Sequence, residues 1–197
     1  MKPEIEVKFL NVDHDEIRTK LKALGAKLEH PMRLMHRQMF DYADNRLQNN
    51  HERLRVRDEG DGKVCLNYKS RAKSQYADEI EVVVSSLEET SAILKAIGLK
   101  NYSNQESKRE TWTYKNVEVV LDEWPWINPF IEIEGPTEEV IQQVAKELGF
   151  NWQDGKFGSA DTIYMIEYPK MKKDESIGDL EQIKFGMPLP QWLKDRQ

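Results

Sequence analysis

The residues best suited to chemistry open the chain, as Glu4-Ile5-Glu6-Val7-Lys8. Side chains alternate faces along a strand, so Glu4, Glu6 and Lys8 share one face and Ile5, Val7 and Phe9 the other. Two carboxylates one strand repeat apart, beside an ammonium, suit a divalent cation next to a phosphate, because hard cations take oxygen ligands. The bland alternative is the solvated face of an edge strand. The same pattern returns further on: Arg53, Arg55 and Arg57 share a face, as do Glu79 and Glu81, Glu118 and Asp122, and Glu132 and Glu134. Three acid-x-acid pairs with an Arg-x-Arg pair point to a shared charged interior. Carboxylates alone would repel a polyanion, so the set makes sense with cations between acid and phosphate. The guanidinium fork suits phosphate oxygens.

Elements to position these residues follow in order. Asp13 caps a helix over residues 11–25. Residues 33–45 read as a long strand, followed by a turn-rich stretch through Asn50. The strand 52–58 turns at Glu59-Gly60-Asp61-Gly62 into a returning strand 63–70, which puts Cys65, Asn67 and Lys69 on one face. A basic loop covers 70–75 and a further strand 78–84. Residues 87–97 form a second helix, stopped by Gly98. Strands 101–114, 117–123 and 130–135 follow, the last two separated by Trp124-Pro125-Trp126-Ile127-Asn128-Pro129. Thr137 caps a third helix ending at Gly149. Residues 160–168 read as a short helix.

These elements predict an α+β fold. About eight antiparallel strands close into a barrel, with the charged faces inward as a tunnel and the helices packed outside. Residues 1–169 form that domain, and residues 170–197 are a charged, proline-containing tail.

At 197 residues the chain is one domain or one domain with a tail. A net charge of -6 argues against nucleic acid as partner. One cysteine, Cys65, suits a reducing compartment. The start of the chain reads as no signal peptide, and no window approaches the roughly 18 apolar residues of a membrane span. The expectation is a cytoplasmic protein without a membrane partner. His14 reads as a surface residue at a helix start. His30, His36 and His51 lack ligand spacing, and Trp124 and Trp126 read as packing residues more than as a platform for a base.

The motifs together resemble the CYTH superfamily, the triphosphate tunnel metalloenzymes, over residues 3–168. Glu4-Ile5-Glu6-Val7-Lys8 resembles its Glu-x-Glu-x-Lys signature, and Leu54-Arg55-Val56-Arg57 its Leu-Arg-x-Arg strand. Leu66-Asn67-Tyr68-Lys69 looks like the lysine-ending strand and Glu79-Ile80-Glu81 like the central acidic pair. Leu121-Asp122 and Phe130-Ile131-Glu132-Ile133-Glu134 look like the paired late strands. The resemblance implies Mg²⁺ or Mn²⁺ held by Glu4, Glu6, Asp122, Glu132 and Glu134. It implies a triphosphate held by Lys8, Arg55, Arg57, Lys69 and Arg109, with Glu79 and Glu81 as further tunnel acids. Many members carry Lys-x-Arg before the Leu-Asp strand, and that lysine is a candidate for activating water. Here Ser107 stands in its place, and Lys108 faces the other way unless a bulge turns it. Lys108 is the candidate base, and the general base stays unassigned. The Lys108-Arg109 pair followed by an aromatic leans towards the thiamine-triphosphatase side.

The resulting expectation is a metal-dependent triphosphatase acting on inorganic, thiamine or nucleoside triphosphate. One alternative is a class IV-type adenylyl cyclase making cyclic AMP and pyrophosphate from ATP. The other is a polyphosphate- or nucleotide-binding module without turnover. Family members can be dimers, and a homodimer is compatible with this reading.

Overall fold

The computed structural model describes the backbone of residues 2–70 and 77–197 and the side chains of 5–70 and 78–197. The expected basic loop therefore lies mostly outside the described residues, as does the Glu4 side chain. The strands are β1 (Lys2–Leu10), β2 (Lys27–Asp41), β3 (Glu52–Asp58), β4 (Val64–Ser70), β5 (Ala77–Val84), β6 (Lys100–Tyr114), β7 (Val117–Glu123), β8 (Phe130–Gly135) and β9 (Gln182–Ile183). The helices are α1 (His14–Ala23), α2 (Arg46–Asn49), α3 (Leu87–Ala96), α4 (Glu138–Glu147), α5 (Ala160–Glu167) and α6 (Gln191–Lys194). Strand order is β2-β3-β4-β5-β1-β8-β7-β6-β9, with a further β2–β6 pairing.

The α+β class is as read from the sequence, and the eight long strands are antiparallel. The expected single closed barrel is corrected. The strands serve two compact units with apolar cores of their own. One unit holds residues up to 4, 33–107 and 178–184, and the other holds 5–32, 108–177 and 185–197. Three of the unit boundaries fall inside β1, β2 and β6.

In the first unit, Phe40, Val56, Leu94 and Leu99 are buried together under α3, with Leu54 and Leu66 against them. Ser86 caps α3 by accepting from the Glu89 amide at 3.1 Å. Gly60 makes the β3–β4 turn with φ +76°, where an added Cβ would collide with the Leu34 carbonyl. That glycine fixes the hairpin carrying Arg53, Arg55 and Arg57. In the second unit, Val7, Phe9, Leu121, Ile131 and Ile133 pack against α1 and α4 through Ile17, Leu21, Ile141, Val144 and Leu148. Each of these residues removes an apolar side chain from water, worth about 1.5–3 kcal/mol. Asp13 accepts from the Asp15 and Glu16 amides at 2.8 and 3.2 Å, the cap expected for α1.

Four boundaries or placements differ from expectation. β2 begins at Lys27, through Pro31, where the polar sequence gives no alternation to read. It ends at Asp41, whose carboxylate accepts from the Tyr42, Leu47 and Gln48 amides at 2.6, 3.0 and 3.0 Å and turns the chain into α2. His14 is buried, at 8% exposure, its Nε2 lying 3.2 Å from the Phe130 carbonyl. In the tail, Ile177, Ile183 and Leu193 are buried. β9 pairs parallel with β6, and Arg196 grips Glu175 with two bonds at 2.9 and 2.6 Å.

Candidate functional site

In the second unit, pairing registers build a charged face row by row. Glu6 lies opposite Glu134, which lies opposite Glu118. Lys8 lies opposite Glu132 in the next row. Asp122 lies opposite Arg109 in the third. Val7, Phe9, Leu121, Ile131 and Ile133 alternate to the other face and anchor the charged one through the core. Like charges directly opposite one another destabilise a ladder, so a row of three carboxylates calls for cations nearby.

Lys8 is 4% exposed and sits 2.9 Å from Glu6 and 3.1 Å from Glu132. Arg109 donates twice to Asp122, at 2.7 and 2.6 Å, and lies 3.7 Å from Glu132. Burial works against the Lys8 charge, but Glu132 and Glu6 outweigh it and raise its pKa. Burial likewise opposes the Glu132 carboxylate, and Lys8 and Arg109 overcome it, holding Glu132 far below the usual carboxylate range. Arg109 is pushed well above its ordinary value, burial being outweighed by Asp122 and Glu132. Lys8, Arg109 and Glu132 therefore keep their charges at neutral pH although they are largely shielded from water.

The first unit carries a second charged face with the opposite bias. Its rows are Arg53–Lys69–Glu79, Met39–Arg55–Asn67–Glu81 and Arg37–Arg57–Cys65. Arg57 is held by Glu59 at 2.6 Å, and Lys69 lies 3.6 Å from Glu79. Asn67 donates to Glu79, and to Glu81 at 3.4 Å. The Arg55 Nε is buried and finds no hydrogen-bond acceptor. Burial, with Arg57 and Arg53 alongside, pushes its pKa down to about 9. A buried guanidinium among other guanidiniums is a place where an anion is stabilising.

Donor chemistry separates the two faces as metal sites. Glu6, Asp122, Glu132 and Glu134 offer only oxygen, the set that Mg²⁺ or Mn²⁺ takes. In the first unit, Glu59, Cys65 and Glu81 offer ligand atoms within 4.8 Å of one another. That group includes a thiol, which burial and then Glu81 push above its usual pKa. It is a poorer match to a hard cation.

The predicted residues therefore divide. Glu6, Lys8, Arg109, Asp122, Glu132 and Glu134 share the second unit's face, while Arg55, Arg57, Lys69, Glu79 and Glu81 share the first unit's. The Glu4 side chain lies outside the described residues. Lys108 pairs in unbroken register with Glu123, binds its carboxylate at 3.1 Å and covers the Phe185 ring, so no bulge brings it to Arg109's side. Arg37, Glu59 and Glu118 belong to these faces and were not assigned from the sequence. The signal for Glu118 was its alternation with Asp122; for Arg37, a lone arginine between Met35 and Met39 in a strand. Glu59 sits in a turn signal, where no periodicity marks it. The Trp124–Trp126 turn is anchored by Tyr164 and Tyr168, whose hydroxyls donate to the Pro125 and Trp126 carbonyls. Trp126 itself donates to the Met187 carbonyl at 3.0 Å, which supports packing as its role.

The chain is similar in structure to several solved proteins. One is a candidate adenylate cyclase from Vibrio parahaemolyticus, 16% identical, with a TM-score of 0.73 over 82% of this chain and 97% of the other. The PH1012 protein of Pyrococcus horikoshii is 27% identical, with a TM-score of 0.63 over 78% and 94%. A candidate adenylyl cyclase from Hippeastrum, described as having a dominant triphosphatase activity, is 21% identical, with a TM-score of 0.57 over 88% and 99%. No curated protein matches the sequence. The family described as CYTH domain, whose members are commonly triphosphatases or cyclases and generally metal-dependent, matches residues 2–152. The chain belongs to the CYTH domain family.

Proposed function

We propose that this protein is a divalent-metal-dependent phosphohydrolase acting on a small-molecule triphosphate. The observation that carries this reading is the buried cluster of Lys8, Arg109, Glu6, Asp122 and Glu132, charged and laid out on one strand face. The oxygen set of Glu6, Asp122, Glu132 and Glu134 holds Mg²⁺ or Mn²⁺, with Glu4 as a further ligand expected from the sequence. When bound, the metal polarises phosphoryl oxygens and offsets their negative charge. Lys8 and Arg109 take phosphate oxygens beside those acids. In the first unit, Arg55, Arg57 and Lys69 act as phosphate ligands, and the unsatisfied N–H of the Arg55 Nε supports that role. Glu79 and Glu81 orient Lys69 and Arg57, and the Asn67 amide donates to Glu79.

Catalysis on this reading is positioning and charge stabilisation, as phosphoryl transfer requires. Lys108 is engaged by Glu123, so water activation is not assigned to it. The triphosphatase described for the Hippeastrum protein supports hydrolysis. Nucleic acid is not the expected partner, in keeping with the net charge of -6. Among the described residues, no helix is long and apolar enough to cross a membrane.

The test is product analysis with inorganic triphosphate, thiamine triphosphate and ATP, each with Mg²⁺ and then Mn²⁺. Orthophosphate release is the expected outcome. Cyclic AMP with pyrophosphate from ATP would make the protein a cyclase. Binding without products would make it a sensor of polyphosphate.

A further inference from the structure

We propose that His14 and Glu123 form a metal site in the second unit, separate from the charged strand face, that takes a borderline divalent cation of the zinc type. Asp13 and Asp15 of the same cleft are its further oxygen donors. The site is independent of the phosphate chemistry proposed above.

The cleft has a volume of about 380 Å³, and its lining includes Asp13, His14, Asp15, Arg18 and Glu123. His14 is 8% exposed, and its Nε2 lies 3.2 Å from the Phe130 carbonyl. A carbonyl only accepts, so in the neutral ring Nε2 carries the proton and Nδ1 presents a lone pair. Among the described residues Nδ1 has no hydrogen-bond partner. Glu123 Oε1 faces it at 4.0 Å, beyond hydrogen-bond reach. Lys108 engages the other Glu123 oxygen, Oε2, at 3.1 Å and leaves Oε1 to the cleft.

Two acceptors across a gap are matched by a cation between them. Zinc–nitrogen and zinc–oxygen bonds are each about 2 Å long, so one ion spans the pair, and closing the gap by about 0.6 Å gives a tetrahedral angle. A backbone carbonyl behind the other ring nitrogen is the support that metal-bound imidazoles use, because it fixes the tautomer.

The charges around the cleft agree. Arg18 is bound by Glu110 at 3.0 and 3.1 Å and by Asp15 at 2.7 Å. Asp13 spends Oδ1 on the α1 cap, and its charge offsets the positive end of that helix. With Glu123 held by Lys108, four carboxylates face two cations, and a dication makes up the difference. An imidazole among carboxylates suits zinc better than magnesium, which takes oxygen alone. The ion ties the start of α1 to the facing ends of β7 and β8.

The experiment is titration of the metal-free full chain with Zn²⁺ against a chromophoric chelator, in excess Mg²⁺ to occupy the oxygen-only face. It compares wild type, His14→Gln, Glu123→Gln, Cys65→Ser and Glu132→Gln, and reads Tm with and without Zn²⁺. Wild type is expected to bind one equivalent at this site and to melt higher with it, since a ligand of the folded state stabilises that state. His14→Gln and Glu123→Gln should each raise Kd by at least about tenfold and lose the zinc-dependent rise in Tm. Cys65→Ser and Glu132→Gln should keep the wild-type Kd. If His14→Gln does not fold, Glu123→Gln decides, because Glu123 is the more exposed ligand. Wild-type zinc affinity in Glu123→Gln would overturn the site, as would absence of Zn²⁺ binding by wild type. Binding lost only in Cys65→Ser or only in Glu132→Gln would move the ion to the first unit's thiol group or to the charged face, and would overturn the site equally.

Discussion

The two charged faces use the same strand alternation and reach opposite electrostatic states. In the second unit every buried charge meets its opposite: Lys8 lies between Glu6 and Glu132, and Arg109 clasps Asp122. In the first unit Arg55 lies among arginines with its Nε unsatisfied. The first arrangement is stable without a ligand and must exchange partners to bind one. The second is penalised without a ligand and gains from an anion. A face that holds a metal beside phosphate and a face that holds phosphate through cations would differ in this way.

Breaking the paired face should have the largest effect on stability. Asp122→Asn leaves Arg109 buried with half its partner, and removal of one member of a buried pair typically costs about 3–5 kcal/mol. A urea midpoint equal to wild type would show that the pair is not what holds that face. Arg55→Met should do the reverse. It removes a charge that burial disfavours, so the free chain melts no lower, or higher, while affinity for triphosphate falls by about ten- to a hundredfold. Lower stability with unchanged affinity would remove Arg55 from the phosphate site.

Titration separates the faces further. Glu132 is held below its ordinary 4.5, so its contribution to stability is present above that pH and is lost as pH falls below it. Arg55, lowered from 12.5 to about 9, works in the other direction: its cost is present below pH 9 and fades as pH rises towards 12.5. Acid denaturation of Glu132→Gln should therefore be flatter below pH 4.5 than that of wild type, and identical acid limbs would refute the pairing. The smallest effect is expected outside both faces. Lys108→Ala should change turnover by less than about threefold, since only its bond to Glu123 and its ring contact are lost. A loss of a hundredfold would make Lys108 the missing base.

Most of the strand pattern was legible because it repeats: acid-x-acid and Arg-x-Arg alternation assigned faces before any pairing was known. The core was readable for the same reason, Val7, Phe9, Ile131 and Ile133 being the complements of Glu6, Lys8, Glu132 and Glu134. Closure was not readable, because alternation fixes faces and leaves open how strands are shared between compact units. The β2 boundaries were hidden by Pro31 and by Asp41, whose role as a backbone acceptor is a tertiary fact. His14 looked exposed because a helix start usually is, and the Phe130 carbonyl that buries it lies far along the chain. Arg37 carried too little signal by itself. Its place on the face depends on Arg57, which pairing alone brings opposite it.

The central claim is that the second unit's acids hold the metal and that the buried cations of each face bind phosphate. The most direct test is a phosphorus-NMR time course of inorganic triphosphate hydrolysis with Mg²⁺, run on wild type, Glu132→Gln and Arg55→Met over a range of substrate concentrations. The account predicts orthophosphate release by wild type and loss of kcat by at least about a hundredfold in Glu132→Gln with binding retained. It predicts that Arg55→Met fails through KM. Full turnover by Glu132→Gln, or a loss confined to kcat in Arg55→Met, would contradict it.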